Sequence, residues 1–366
     1  MDKKDAYLWL KSIDKISNNI IDKMLKNGLK VEDIIHLSDK EINEMENINL
    51  NIKENIVKYK SLAYLDNIKE KLRERNIKYV SIEDNHYPSK LKNIYNAPKL
   101  LYYKGNINLL NEGLSIAMVG SRKATAYGKH CATTISSKLS EMNINVVSGL
   151  ATGIDSYSHM GCIKGGGKTV AVIGSSVDNI LPRKNLYLSK EILENDGLII
   201  SEYGIDSKVY PSNYVQRNRI ISGISDGVIV VEAAIKSGAL ITADFALEQG
   251  REVFSIPGSI HSAMSEGCHK IIKEGAKLVC SIEDILEEYK IINNKNQENL
   301  KKYDNINLDK KSRIIIDTIK NKGTLHIDEI CDNTKMDIKY VNIILNELVL
   351  RDILVQINNN RYILNS

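Results

Sequence analysis

Short apolar segments alternate with helical stretches between residues 114 and 280, and this pattern constrains the fold more than any other feature. Most of these segments are continuously hydrophobic and rich in Val or Ile, as expected of strands that are buried on both faces. We predict strands at 115–119, 145–148, 169–173, 198–201, 227–231, 252–256 and 277–279. Strands that alternate with helices form right-handed βαβ units, so the sequence predicts an α/β fold with a doubly wound, mostly parallel sheet.

The regions on either side of this sheet have a different character. Residues 5–62 show the helical period without strand alternation, and residues 66–112 are mixed, with short strands predicted at 78–82 and 100–103. Beyond the sheet, a polar segment without periodicity precedes three helices and a β-hairpin, which is the pattern of a winged helix. The predicted domains are an all-helical domain (1–65), the sheet domain (66–290), a linker (291–311) and a winged helix (312–366).

Composition excludes several classes of protein. The net charge of +4, from 50 basic and 46 acidic residues, does not by itself indicate a nucleic-acid partner. The five cysteines form no C-x-x-C pair, so we expect a reducing compartment with neither a disulfide framework nor a zinc ribbon. The chain starts without a signal-peptide segment and has no stretch of the ~18 apolar residues that a membrane span needs, which predicts a cytoplasmic protein without membrane contact.

The first strand of the alternating region runs directly into Gly120, Ser121 and Arg122, and a helical pattern follows. A glycine at this position lets a ligand approach the backbone, and a helix N-terminus attracts anions. The guanidinium group of Arg122 is a permanent charge whose planar fork matches phosphate. The segment therefore predicts an anion site, although a tight turn with a solvated arginine is the alternative.

Nearly every other predicted strand ends in glycine, serine or proline. The carboxyl ends of parallel strands meet at one edge of the sheet. The additional candidates are Gly149, Gly153, Arg183, Lys184, Arg217, Asn218, Arg219, Ser237 and Gly238. Together they predict a polar floor suited to a polyanion backbone. The alternatives are that Arg183 and Lys184 are merely solvated, and that one arginine of the Arg-Asn-Arg segment pairs with an acid inside the fold. For Arg219 the expected partner is then Asp226 or Glu232.

The evidence for catalysis is weaker. Asp155 and His159 are four residues apart on a predicted helix, but a helix-start cap and a core histidine explain them better than a catalytic pair. The histidines and cysteines lack metal-ligand spacing and the glycine-rich loops lack a Walker lysine, so we predict neither a metal nor a cofactor. The rival hypothesis is a Rossmann-like nucleotide-processing hydrolase, in which Glu232 acts as a catalytic acid.

Taken in order, these segments resemble the DNA-processing protein A (DprA/Smf) family over about residues 80–290. The resemblance is carried by Tyr87-Pro88, Gly120-Ser121-Arg122, the segment 148–155, Pro182-Arg183-Lys184-Asn185, Ser201-Glu202, Arg217-Asn218-Arg219, Ser237-Gly238 and Pro257-Gly258. It implies an extended Rossmann fold and a homodimer that binds single-stranded DNA. It also implies loading of the RecA recombinase in natural transformation or recombination, without a catalytic cycle, and a single-strand-binding protein as a further partner.

The resemblance also implies where DNA is contacted: at Arg122, at Arg183 and Lys184, and at Arg217 and Arg219. The chain departs from the family pattern at Ser176, at Tyr214-Val215, where Phe-Pro is usual, and at Gly267-Cys268-His269. In the helical domain, which resembles the SAM or helix-hairpin-helix type, Ile16-Ser17-Asn18-Asn19 stands where a Gly-x-Gly hairpin is expected. This last departure argues against a phosphate site at the N-terminus.

Overall fold

The computed structural model describes residues 1–26, 28–289, 308–322, 325–351, 353–357 and 360–364. The chain divides into two compact units, Met1–Ile285 and Leu286–Ser366. The first unit contains a nine-stranded sheet with helices, and the second contains helices with a small antiparallel sheet. The predicted fold class is confirmed.

The large sheet has the strand order β1-β2-β6-β5-β4-β3-β7-β8-β9. Its strands are β1 (Lys78–Ser81), β2 (Leu100–Gly105), β3 (Ser115–Gly120), β4 (Asn145–Ser148), β5 (Thr169–Ile173), β6 (Leu198–Ser201), β7 (Gly227–Glu232), β8 (Glu252–Ser255) and β9 (Lys277–Leu278). Strands β3 to β9 are parallel, whereas β2 is antiparallel to both of its neighbours. Each predicted strand is present with bounds that differ by at most two residues, because these segments are buried on both faces.

The connections between the strands are helical and cover the sheet. They are α6 (Ser89–Lys92), α7 (Ala126–Glu141), α8 (Ile154–Lys164), α9 (Leu186–Glu194), α10 (Pro211–Gly223), α11 (Gly238–Glu248) and α12 (Glu266–Lys273), with α13 (Glu283–Glu288) after β9. Because β4 to β6 lie on one side of β3 and β7 to β9 on the other, the strand order reverses at β3. Ligands of open α/β sheets bind at such a reversal, outside the carboxyl ends of the strands.

The N-terminal helices pack on the sheet rather than stand apart from it. They are α1 (Lys3–Ser12), α2 (Asn18–Leu25), α3 (Asp39–Glu44), α4 (Leu50–Lys58) and α5 (Leu62–Glu74). Ser17 caps α2 by accepting a hydrogen bond from the backbone N–H of Ile20. Ile21 of α2 belongs to the same hydrophobic cluster as Leu100 of β2 and Ile173 of β5. The helical layer and the sheet therefore share buried apolar surface, which fixes α2 against the sheet.

The second unit contains α14 (Lys310–Lys322), β10 (Leu325–His326), α15 (Ile327–Thr334), α16 (Ile338–Leu350), β11 (Leu354–Ile357) and β12 (Arg361–Leu364). The three helices and the hairpin are found as predicted, around a core that includes Ile330, Leu345 and Leu354. Strand β10 was not predicted, because two residues are too few to show alternation, and it pairs with β12. Most of the predicted linker lies outside the described residues.

Among the described residues, none of the helices combines the length and the apolar character needed to cross a membrane.

Candidate nucleic-acid interface

A pocket of about 210 Å³ opens at the carboxyl edge of the sheet, where the strand order reverses. Its walls come from the end of β3, the turn after β4, the middle of α10 and the start of α11. Six of the predicted site residues line it: Gly120, Arg122, Arg217, Asn218, Ser237 and Gly238. The structure therefore brings half of the predicted set to one pocket, as expected from strand ends that share an edge.

The backbone of the Gly-Ser-Arg segment is fixed by its neighbours. The N–H group of Ser121 donates to the carbonyl of Glu232 at 2.7 Å, and the carbonyl of Ser121 accepts from the N–H of Ile154 at 3.1 Å. Gly120 has no room for a side chain, since a Cβ atom would lie 2.6 Å from Cγ1 of Ile154. Gly120 and the backbone of Ser121 thus join three loops. The Arg122 side chain takes no part in these contacts and is available to a ligand.

Arg122 is the accessible cation of the pocket. Its side chain is exposed, and the guanidinium carbon lies 5.5 Å from the centre of the Tyr214 ring in α10. Among the described residues Arg122 has no carboxylate within ion-pair distance. Contact with an aromatic face holds the guanidinium group in place while leaving its N–H donors available. Arg122 is therefore placed to bind a phosphate, and its N–H donors are available for it.

The sequence predicts ligand contacts at Gly149 and Gly153 in the turn after β4, but a side chain of the protein itself occupies this turn. The carboxylate of Asp155 accepts hydrogen bonds from the N–H groups of Ala151, at 3.3 Å, and Gly149. Burial raises the pKa of this carboxyl above its ordinary value, and the neighbouring Arg217 guanidinium opposes the shift. The N–H groups that would cradle a phosphate are consequently occupied, and direct DNA contacts at Gly149 and Gly153 stay predictions.

Gly153 packs this turn closely against the backbone of the Gly-Ser-Arg segment. Its φ of 81° lies in the left-handed region, and a Cβ atom would approach the carbonyl oxygen of Ser121 to 2.2 Å. Only glycine satisfies both conditions. Gly153 therefore supports Arg122 by packing, whether or not it touches a ligand.

The two arginines of the Arg-Asn-Arg segment are both buried, each with 4% of its surface exposed. Arg217 reaches the pocket wall, where its Nη1 atom donates to the carbonyl of Val172, and the guanidinium group packs against Gly149. Arg219 forms a buried ion pair with Glu202, with 2.5 Å between Nη2 and Oε2. Direct contact of either arginine with DNA stays a prediction, and the burial of Arg219 argues against it.

The expected partners of Arg219 were wrong. Asp226 instead accepts from the Lys90 ammonium group at 2.6 Å. Glu232 is also buried, and its carboxylate accepts from the Thr125 hydroxyl at 2.6 Å and from the Thr125 N–H at 2.8 Å. Both carboxylate oxygens of Glu232 are therefore used to hold the loop before α7. The hydrolase hypothesis needed Glu232 as a catalytic acid, and this arrangement argues against that role.

The start of α11 supplies the polar side of the pocket. Ser237 caps the helix by accepting from the N–H of Ala239 at 3.3 Å, and Asn218 donates from Nδ2 to the carbonyl of Gly238 at 3.3 Å. No atom lies within 4 Å of the position that a Cβ of Gly238 would take, so the backbone is approachable there. The positive end of the helix dipole thus faces the pocket close to Arg122.

The basic loop after β5 presents two further cations. Arg183 and Lys184 are exposed on a short 3₁₀ helix, Arg183–Asn185, and do not line the pocket. Asn185 is buried beneath them and donates to the carbonyl of Leu150 at 2.8 Å, which ties the loop to the turn after β4. Tyr187, at the start of α9, is 76% exposed. Tyr187 is not among the predicted site residues, although an aromatic residue three positions after a basic pair is a recognisable signal for stacking on bases.

His159 is a core histidine, as predicted. It is fully buried, and its Nδ1 atom lies 2.7 Å from the hydroxyl of Thr169. Burial lowers the pKa of His159 from 6.5 to about 3, with a further contribution from Arg217. No group of three or more His, Cys, Asp or Glu side chains in the described part of the chain is arranged to hold a metal ion.

We expect this histidine to make the first unit sensitive to mild acid. The unfolded state binds a proton below about pH 6.5 and the folded state does not, so stability is full above pH 6.5 and falls as the pH drops towards 3. At pH 5 the loss is about 2 kcal/mol. Urea unfolding at several pH values measures it, and His159→Gln should flatten the profile, whereas the exposed His130→Gln should not. An unchanged profile in His159→Gln would contradict this assignment.

Comparison with known proteins places the chain in a family. The family model for DNA recombination-mediator protein A matches residues 78–290. DNA processing protein DprA of Streptococcus pneumoniae is 47% identical over 209 residues, which are 57% of this chain and 73% of that protein. The Bacillus subtilis DprA is 44% identical over 216 residues, covering 59% of this chain and 72% of that protein.

Two solved structures are similar to this chain. The crystal structure of Streptococcus pneumoniae DprA matches with a TM-score of 0.62 and 38% identity, covering 75% of this chain and 98% of that one. DNA processing protein A of Helicobacter pylori, described for its single-stranded DNA binding mode, matches with a TM-score of 0.52 and 28% identity, covering 59% of this chain and 97% of that one. The family consists of recombination mediators, so no catalytic reaction is assigned to the chain. The chain belongs to the DNA recombination-mediator protein A family, whose members carry the names DprA and Smf.

Proposed function

We propose that this chain binds single-stranded DNA along the carboxyl edge of its sheet and delivers it to RecA. The observation that carries the proposal is Arg122, an exposed guanidinium group without a carboxylate partner among the described residues, held against Tyr214 at the mouth of the pocket. The Helicobacter pylori relative binds single-stranded DNA, which supports the same ligand here.

The surface that we call the DNA-binding edge comprises Arg122, Arg183, Lys184, Asn218 and the start of α11 at Ser237-Gly238. Its cations suit phosphates, and the exposed ring of Tyr187 offers a face on which a base can stack. The pocket beside Arg122 has a volume of about 210 Å³. Unpaired bases are required for stacking, so the edge favours single strands.

The buried arginines have a supporting role in this proposal. Arg217 is buried in the pocket wall, where it donates to the carbonyl of Val172 and acts electrostatically on Asp155. Arg219 is paired with Glu202, so we assign the phosphate contacts to other residues. Ser121, Gly149 and Gly153 fix the loops that carry Arg122. The accessible cations among the described residues of the edge are then Arg122, Arg183 and Lys184.

We further propose the remaining parts of the family's arrangement for this chain: a homodimer in the cytoplasm that loads RecA during natural transformation or recombination, with a single-strand-binding protein as a further partner. Residues 66–290 would form the DNA-binding domain, followed by a linker at 291–311. In the winged helix, 312–366, the exposed face of α16 carries Tyr340, Ile343 and Leu350, which favours contact with protein over contact with DNA.

Titration of labelled single-stranded and duplex DNA across a salt series tests the DNA-binding proposal. Three phosphate contacts predict that log K for single strands falls with log[salt] with a slope of about −2, since each contact contributes about −0.7. We expect clearly weaker binding to duplex DNA at every salt concentration. Equal affinity for both forms, or binding that does not respond to salt, would overturn the assignment.

A further inference from the structure

A buried carboxylate connects the N-terminal helices to the helix that lines the pocket. Glu202 follows β6 and is 8% exposed. Its Oε2 atom accepts from Nη2 of Arg219 in α10 at 2.5 Å, and its Oε1 atom accepts from Nδ2 of Asn18 in α2 at 2.6 Å. Both oxygens are thus held, one from each side, and the three side chains form a continuous polar link between α2 and α10.

The surroundings of Asn18 fix the orientation of its amide. Asn18 is 3% exposed, and its Oδ1 atom accepts from the Lys11 ammonium group at 3.2 Å and from the N–H of Lys99 at 3.4 Å. Because the amide oxygen faces donors, the amide nitrogen must face Glu202. One turn further along α2, Asp22 pairs with the Lys99 ammonium group at 2.5 Å. These contacts therefore fix the position of α2 relative to the sheet.

Helix α10 carries this link to the DNA-binding edge. Arg219 is adjacent to Asn218, which lines the pocket, and lies five residues after Tyr214, which holds Arg122. A helix is rigid over such a distance, so a shift at Arg219 moves Asn218 and Tyr214 with it. Asn18 itself does not line the pocket.

We propose that Asn18 is a positioning residue for DNA binding, which acts from the N-terminal helices through Glu202 and Arg219 on α10. The inference rests on the proposed function of the edge. It also gives a role to the segment that departs from the Gly-x-Gly hairpin: Asn18 points into the protein and holds the DNA site, rather than out of it to bind phosphate.

Exchanging donor and acceptor between the two side chains tests the link. Asn18→Asp places a carboxylate oxygen against Oε1 of Glu202, and Glu202→Gln places two amides together, so that one contact becomes donor to donor. We expect each single variant to bind single-stranded DNA five- to tenfold more weakly, as measured by fluorescence anisotropy. In the double variant, the introduced carboxylate accepts from the introduced amide and Arg219 keeps an acceptor, so the affinity should return to within twofold of the wild type.

The matched control is Asn19→Asp, which adds the same charge at the exposed neighbouring position and should leave the affinity unchanged. Hydrogen exchange of the α10 amides is the second readout, because it reports on the helix without DNA: it should be faster in each single variant and normal in the double variant. Full affinity in Asn18→Asp, or failure of the double variant to recover, would overturn the positioning role. A wild-type chain that does not bind single strands would overturn the proposed function as well.

Discussion

Arg122→Glu should weaken binding of single-stranded DNA on the order of 100-fold, which corresponds to about 3 kcal/mol. The substitution removes a charge-assisted contact to phosphate and places a carboxylate at the mouth of the pocket, where it repels the DNA backbone. The salt dependence should also become less steep, by at least the ~0.7 that one lost phosphate contact represents. Fluorescence anisotropy at several salt concentrations measures both effects.

Lys164→Glu is the matched control for this variant. It makes the same change in net charge at an exposed residue at the end of α8, whose start, not its end, lies at the carboxyl edge of the sheet. Its effect on affinity should be small, because charges beyond about 10 Å are screened at ordinary ionic strength. Equal losses in the two variants would mean that net charge, and not the position of Arg122, governs binding.

Glu202→Ala should be the most destabilising of the changes considered, with a loss of about 3–5 kcal/mol in the free energy of unfolding. It leaves the buried Arg219 guanidinium without its carboxylate and Asn18 without its acceptor. An unpaired buried charge costs more than the pair contributes, because its desolvation is no longer offset. Chemical denaturation of the full chain measures the loss, and thermal unfolding should show a midpoint lowered by about 10 °C.

An exposed ion pair provides the comparison. Asp196 lies 2.5 Å from the Lys168 ammonium group, and both side chains are about half exposed. Lys168→Ala should change the stability little, because water replaces the partner in an exposed pair. If this variant and Glu202→Ala lose the same free energy of unfolding, the Glu202 contact is not buried in the way that the structure shows.

The sheet and the position of Arg122 could be predicted from the sequence because both depend on local patterns. A strand buried on both faces is a short apolar run, and its carboxyl end is the next residue in the chain. The sequence could not separate Arg217 from Arg219, since both lie on α10 near Asn218 and only packing decides what each one meets. Arg219 lies 17 residues from Glu202, and Glu202 lies 184 residues from Asn18. Contacts over such separations follow from the tertiary fold and leave no periodic signal.

Asp155 gives the pocket a selectivity that charge alone would not provide. The turn after β4 holds this carboxylate at its own backbone, where it accepts from the N–H of Ala151. An anion that approaches the turn therefore meets a carboxylate and not a set of open N–H donors. A polyanion needs no such cradle, because it can gather many weak contacts along exposed cations such as Arg122, Arg183 and Lys184. We therefore expect the DNA-binding edge to bind a strand of DNA in preference to free nucleotides.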